Sequence, residues 1–253
     1  MKVVLFPILH HNKGTYGMVT IKSLLLLFVT FALCSYVIKE RNESRSIATC
    51  HQSENWEMLL EGNKLDKWQM YSHGSIKGWS VDSGELHSSG AGWDADEDLV
   101  TKEEFGNFDL MLEWKITPQN SSGIFFYVQR GSGHPIYESA PEYQVMDDKG
   151  WPQKMKPNQY TAASYAMYEP VGAKVKPVGE WNATRITVNY PHVEHWLNGV
   201  KVLEYEFGSE DWEKRKASGK WSEIPYYGKA KSGRIGLQNA GKVVYRNIKI
   251  RRL

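Results

Sequence analysis

Strict alternation of apolar and polar side chains recurs after residue 52. In FDLMLEWKI (108–116), Phe108, Leu110, Leu112, Trp114 and Ile116 share one face, while Asp109, Met111, Glu113 and Lys115 share the other. This is the period-two signature of a half-buried strand. GIFFYVQR (123–130) reads as a strand that is bulky on both faces. RITVNY, HVEHWL and VKVLEYE read as successive strands, and Asn198-Gly199 between the last two suits a tight two-residue hairpin turn. GRIGLQ and VVYRNIKIRRL close the chain. Helical periodicity is confined to SEDWEKRKASGKWS (209–222), where Ser209 is placed to cap a short helix near 209–220 with solvated charges. The stretch from Asp148 to Glu180, rich in Pro, Lys and Tyr, predicts loops over one face. The expectation is an all-β sandwich of two antiparallel sheets, of jelly-roll type, over residues 55–253.

The amino-terminal region reads differently. Ser23 to Ile38 is an uncharged apolar run, preceded by Lys22 and followed by Lys39-Glu40-Arg41. As a helix it would span roughly 24 Å at about 1.5 Å per residue, short of a hydrocarbon core of about 30 Å. Small residues at Ala32 and Cys34 before Ser35 form a tolerable signal-peptidase site. Residues 1–38 are therefore read as a signal peptide, with an uncleaved membrane anchor or a lipid-modified cysteine as alternatives and Met18 as an alternative start. Residues 39–54 read as a polar tether. Each version implies an exported protein.

Composition narrows the classes. The 253 residues are 41% apolar and 24% charged, which excludes a disordered or wholly membrane-embedded chain. The formal charge of +2, with Lys and Arg scattered, gives no basis for nucleic-acid binding. Two cysteines exclude a disulfide framework and a thiolate metal cluster. Ten Trp and 14 Tyr provide many flat faces on which sugars can stack.

The segment richest in chemistry is PEYQVMDD (141–148). On a strand, Glu142, Gln144 and Met146 point one way, and Tyr143 and Val145 the other. Asp147 joins the first set only if a bulge shifts the phase by one residue. Glu-x-Gln-x-x-Asp resembles the Glu-x-Asp-x-x-Glu strand of laminarinase-type retaining glucanases. Its central amide departs from the paired carboxyls, about 5–5.5 Å apart, that retaining hydrolysis needs. The plain alternative is an edge strand with solvated acids. Glu113 is a second candidate, with Lys115 as its simplest partner. Asp94, Asp96 and Asp98 imitate half a calcium loop, but Leu99 replaces the required Gly and Phe105 the closing Glu, so an acidic turn is the reading kept. His192 and His195 lack metal-site spacing, and His73 and His134 sit in loops. Nucleophile-elbow, phosphate-loop and dinucleotide fingerprints are all missing.

Taken in order, DLVTKEEFGNFDLMLEWKI, SSGIFFYVQ, PEYQVMDD, KPVGEWNATRITV, HVEHWLNGVKV, and IGLQNAG followed by VVYRNIKIRRL resemble the 3-keto-disaccharide hydrolase domain family across roughly residues 55–253. The resemblance implies a concanavalin-like jelly roll acting on glycosides whose C3 hydroxyl is already a ketone. A C3 carbonyl acidifies the C2 proton; a base removes it, the enolate expels the C1 substituent, and water adds. On this reading Glu142 or Asp147 is the base, Gln144 and Gln238 orient hydroxyls or hold the enolate oxygen, and Tyr127 and Tyr165 donate or stack. Glu113 and Asn239 are further substrate-binding candidates. No cofactor is implied, and a divalent metal is left open. The implied partner is an oligosaccharide or glycoside. The family's Leu-Gln-Asp-His-Gly is here Leu237-Gln238-Asn239-Ala240-Gly241, without the acid or the histidine. Ser121-Ser122-Gly123 stands for Asn-Ser-Gly, and Ala166 follows Tyr165 where Asp is frequent. A sugar-binding or cell-surface module without turnover is the main alternative, and a conventional glycosidase the next.

Overall fold

The computed structural model describes residues 55–253 except 94, 95 and 132. The apolar run at 23–38 and the segment to residue 54 lie outside the described residues, among which no helix is long and apolar enough to cross a membrane. The strands are β1 (Glu57–Met58), β2 (Trp68–Met70), β3 (Trp79–Asp82), β4 (Glu85–Ser88), β5 (Leu99–Thr101), β6 (Phe108–Ile116) and β7 (Ser121–Val128). Then come helix α1 (Ile136–Ser139), β8 (Glu142–Met146), β9 (Asn182–Asn189), β10 (His192–Leu197), β11 (Val200–Glu206), helix α2 (Glu210–Ser218), β12 (Arg234–Leu237) and β13 (Val243–Arg252).

Among the described residues these strands form two antiparallel sheets. The larger runs β11-β10-β9-β6-β13-β4-β3 with β1 also on β13, and the smaller runs β2-β5-β12-β7-β8. The jelly-roll sandwich expected from alternation is the architecture found. The apolar face of β6 is buried against Ile124 and Phe126 of β7 and Tyr143 and Val145 of β8. Asn198 and Gly199 turn the β10–β11 hairpin, both with positive φ. Ser209 caps α2, its hydroxyl accepting from the Trp212 amide at 3.2 Å. Residues 147–181 contain no strand and only a 3-10 turn at Pro157–Gln159, in keeping with their irregular composition.

The two bulky faces of β7 have separate explanations. Ile124 and Phe126 enter the core between the sheets, whereas Phe125 and Val128 pack with Val100, Ile136 and Ala140 in a small second cluster beneath α1. Near its end β7 also changes phase. Tyr127 has φ +60°, and the β12 register shifts between Arg234 and Gly236. Its ring turns inward, edge-on to Phe108 and Phe126. The close fit is possible because Gly233 carries no Cβ, which would lie 2.4 Å from the Tyr127 carbonyl carbon.

The polar face of β6 carries one deeply buried acid. Asp109, 1% exposed, accepts hydrogen bonds from Arg185, Arg251 and Thr187 at 2.6–3.1 Å. Burial alone would raise its pKa, but these donors hold it below the ordinary carboxylate value. Asp109→Ala strands two guanidinium groups on the sheet and is expected to cost about 3 kcal/mol, read as a lower urea midpoint. Because the folded pKa is depressed, this contribution is present above pH 4 and fades as pH falls below the unfolded value of 3.8.

Candidate active site

Strand β8 sets the geometry. Tyr143 and Val145 enter the core, with the Tyr143 ring 4.9 Å from His195 on the facing sheet and its hydroxyl on the Trp196 carbonyl. Alternation therefore sends Glu142, Gln144 and Met146 to the opposite side, where all three line one groove. The neighbouring strand contributes Ser121, and the end of β12 contributes Gln238 and Ala240. Gly123 pairs with Gln144, and the Gln238 amide donates to the Gly123 carbonyl at 3.0 Å, so three strands present one floor. Trp93, Tyr137, Trp151, Met155, Tyr165 and Lys220 form the walls. The groove holds about 200 Å³ and opens to solvent at its mouth.

Glu142 is the one carboxyl among the described residues that line the groove. It is 6% exposed, and among the described residues its carboxylate has no hydrogen bond or ion pair. Burial pushes its pKa up to about 8; the nearby Lys220 charge pulls it down, and Asp98 raises it further. The carboxyl lies against the backbone of Gly123, where an added Cβ would fall 2.4 Å from Oε1. Gly123 thus provides clearance for the acid.

The remaining candidates divide. Gln144 lines the groove, but its amide already donates to the Gln159 carbonyl (3.3 Å) and accepts from the Val145 amide. Gln238 lines it with a side chain that has no hydrogen bond among the described residues. Tyr165 lies beside β8 because residues 160–168 pair along that edge; its amide donates to the Glu142 carbonyl at 3.0 Å. Its hydroxyl accepts from Gln159 at 3.0 Å, leaving its own hydrogen free, and burial raises its pKa.

Asp147 is not in the groove. β7 and β8 pair without a bulge, so the phase never shifts. Its carboxylate instead caps a turn, accepting from the Gln119 and Gly150 amides at 3.0 and 2.9 Å. Glu113 lies on the outer face of the larger sheet, held by Arg246 at 2.6 Å and by Asn247, while Lys115 pairs with Glu85 at 3.2 Å. Tyr127 is buried between the sheets through its phase change, away from the groove. Asn239 does not line the groove. It fastens the segment leading to Trp93, accepting from the Gly90 amide at 2.8 Å and donating to the Gly78 carbonyl at 3.1 Å. Asp98 belongs to this scaffold, accepting from the Asn239 amide at 2.8 Å, and burial lifts its pKa to about 6. Asp94 lies outside the described residues.

Lys220, Trp93, Trp151 and Tyr137 went unmarked in the sequence. Lys220 sits in a charged stretch that reads as a solvated helix face, and the others sit in loops or in a four-residue helix without periodicity. The described residues contain one cluster with metal-ligand atoms within 4.8 Å, His192, Glu194 and Glu204. It lies on the β10–β11 hairpin, where Lys201 already bridges both acids at 3.1 and 2.7 Å.

The family model for a 3-keto-alpha-glucoside-1,2-lyase-like domain matches residues 55–251. The chain belongs to that family. A 3-keto-disaccharide hydrolase of Bacteroides thetaiotaomicron is 31% identical, the alignment covering 76% of this chain and 77% of the relative. A crystal structure of a candidate glycosyl hydrolase from Parabacteroides distasonis superposes with TM-score 0.75 and 36% identity, over 80% of this chain and 95% of that one. A second such structure from the same organism gives TM-score 0.61 at 27% identity, over 79% and 100%. Ala240 falls on the groove wall, while Asn239 lies behind it.

The raised pKa of Glu142 has a stability consequence. Between the unfolded value of 4.5 and the folded value of about 8 the unfolded chain binds fewer protons, so stability falls as pH rises through that window. Glu142→Gln lacks this slope. Its melting temperature relative to wild type is expected to climb steadily from pH 5 to pH 8 in parallel thermal scans.

Proposed function

We propose that the protein cleaves 3-keto-glycosides, with Glu142 removing the C2 proton. The observation that carries this reading is the lone, unpaired, desolvated carboxyl in a sugar-sized groove. Elimination next to a ketone needs one base of raised pKa, whereas retaining hydrolysis needs two closely spaced carboxyls. With Asp147 turned away, the groove supplies one among the described residues. Membership of the family and the name of the Bacteroides relative support a carbohydrate hydrolase of this kind.

Each side chain then has a task. The C2–H pair becomes the C2=C3 bond, the C3 oxygen takes up charge, and the enolate expels the C1 substituent before water adds. Gln238, whose side chain is unengaged among the described residues, would hold ring hydroxyls, and Tyr165 has a hydrogen free for the departing oxygen. Trp93 and Trp151 offer flat faces for sugar rings. Action outside the cytoplasm belongs to the same reading and is supported by the apolar run at 23–38. Ala240 on the wall favours a second reading, a sugar-binding module without turnover.

Incubation with a 3-keto-disaccharide and with its unoxidised parent separates these readings. Cleavage of the ketone alone is expected; binding without products would establish the module, and cleavage of the parent a conventional glycosidase. Glu142→Gln should lose at least ~10²-fold in kcat while keeping its circular dichroism spectrum. Gly123→Ala, which displaces the carboxyl through a Cβ 2.4 Å from Oε1, should lower kcat in the same direction. For a base of pKa about 8, kcat/KM should rise with pH up to that value; a profile falling through pH 8 would make Glu142 an acid instead.

A further inference from the structure

We infer that the Lys220 ammonium takes up the negative charge developing on the substrate's C3 oxygen, as the second catalytic group beside Glu142. This rests on the reading of Glu142 as the C2 base. The placement of Lys220 is built rather than incidental. Helix α2 ends at Ser218, and the chain leaves it at Gly219, where a Cβ would meet the Arg215 carbonyl at 2.8 Å. Trp221, 2% exposed, then anchors the segment by stacking on Tyr227 at 4.3 Å and donating to the Tyr165 carbonyl at 3.1 Å. Lys220, between that glycine and that anchor, lines the groove.

Its amine stands over three aromatic rings, Tyr165 at 4.7 Å, Trp221 at 4.6 Å and Tyr137 at 5.5 Å. Ring faces attract a cation without neutralising it. Among the described residues, Lys220 has no ion pair within 4.0 Å and no hydrogen bond. The charged and titratable groups around it are Glu142 of β8, Glu138 and Tyr137 of α1, and Tyr165. Glu138 is engaged by the Tyr226 hydroxyl at 2.7 Å. Desolvation lowers the Lys220 pKa, and both glutamates oppose that shift.

A cation without an ion pair that lines the same groove as a base suits enolate formation. As Glu142 takes the C2 proton, the C2–H pair forms C2=C3 and the carbonyl π pair moves onto the C3 oxygen. A fixed positive charge stabilises that oxygen more than the ketone it came from. The Gln144 amide is committed to Gln159, and Gln238 is neutral, so neither supplies the same field. Lys220 also helps Glu142 to ionise, because its charge lowers the Glu142 pKa.

The test uses a 3-keto sugar with no leaving group at C1, such as 3-keto-1,5-anhydroglucitol, and follows C2 hydrogen–deuterium exchange in D₂O by NMR. Wild type is expected to exchange the C2 proton. Lys220→Met and Lys220→Gln should exchange it at least ~10²-fold more slowly, with ligand affinity changed by a much smaller factor. Any residual rate should show its acid limb moved to higher pH, which loss of packing alone would not produce. Wild-type exchange rates in both variants would overturn the inference and leave the Glu142 reading standing. No exchange by wild type would overturn both. A covalent adduct on Lys220 after borohydride treatment with the ketone would also overturn it, since the amine would then be a nucleophile.

Discussion

The site rests on the burial of a carboxyl that has been given no partner. Glu142 sits on a strand whose other face is locked into the core by Tyr143 and Val145, so its side chain is sent to the groove face. Ionising such a group costs free energy in the folded state, and elsewhere in this protein that cost is met locally. Asp109, also buried, is ringed by two arginines and a threonine. Asp109 is thereby stabilised as an anion, whereas burial keeps Glu142 a stronger base.

The arrangement also solves an edge problem. β8 is the last strand of the smaller sheet, and a bare strand edge invites pairing with other chains. Residues 160–168 cover it through backbone hydrogen bonds to Gln144 and Glu142, and the same segment delivers Tyr165. On the same sheet, α1 covers Phe125 and Val128 while contributing Tyr137 to the groove wall. Irregular segments thus protect the scaffold and build the walls at once, leaving the floor to three strands.

The end of β12 shapes one wall of the groove. Ala240 lines the groove and Asn239 braces the loop carrying Trp93, so changes there alter one wall and leave the Glu142 floor intact.

Much was already legible in the chain. The alternation of β6, β10 and β11, the Asn198-Gly199 turn and the Ser209 cap are consequences of neighbouring residues, because side-chain direction along a strand and capping at a helix end are local. The outward set of Glu142, Gln144 and Met146 follows from the same rule. The short strands before residue 101, the inward turn of Tyr127, the capping role of Asp147 and the arrival of Lys220 beside Glu142 do not. Each depends on partners tens of residues away: the β12 register for Tyr127, the Gln119 amide for Asp147, and the Trp221 anchor under Tyr165 and Tyr227 for Lys220. Local periodicity states which way a side chain points, but what it meets there is decided by how distant segments pack.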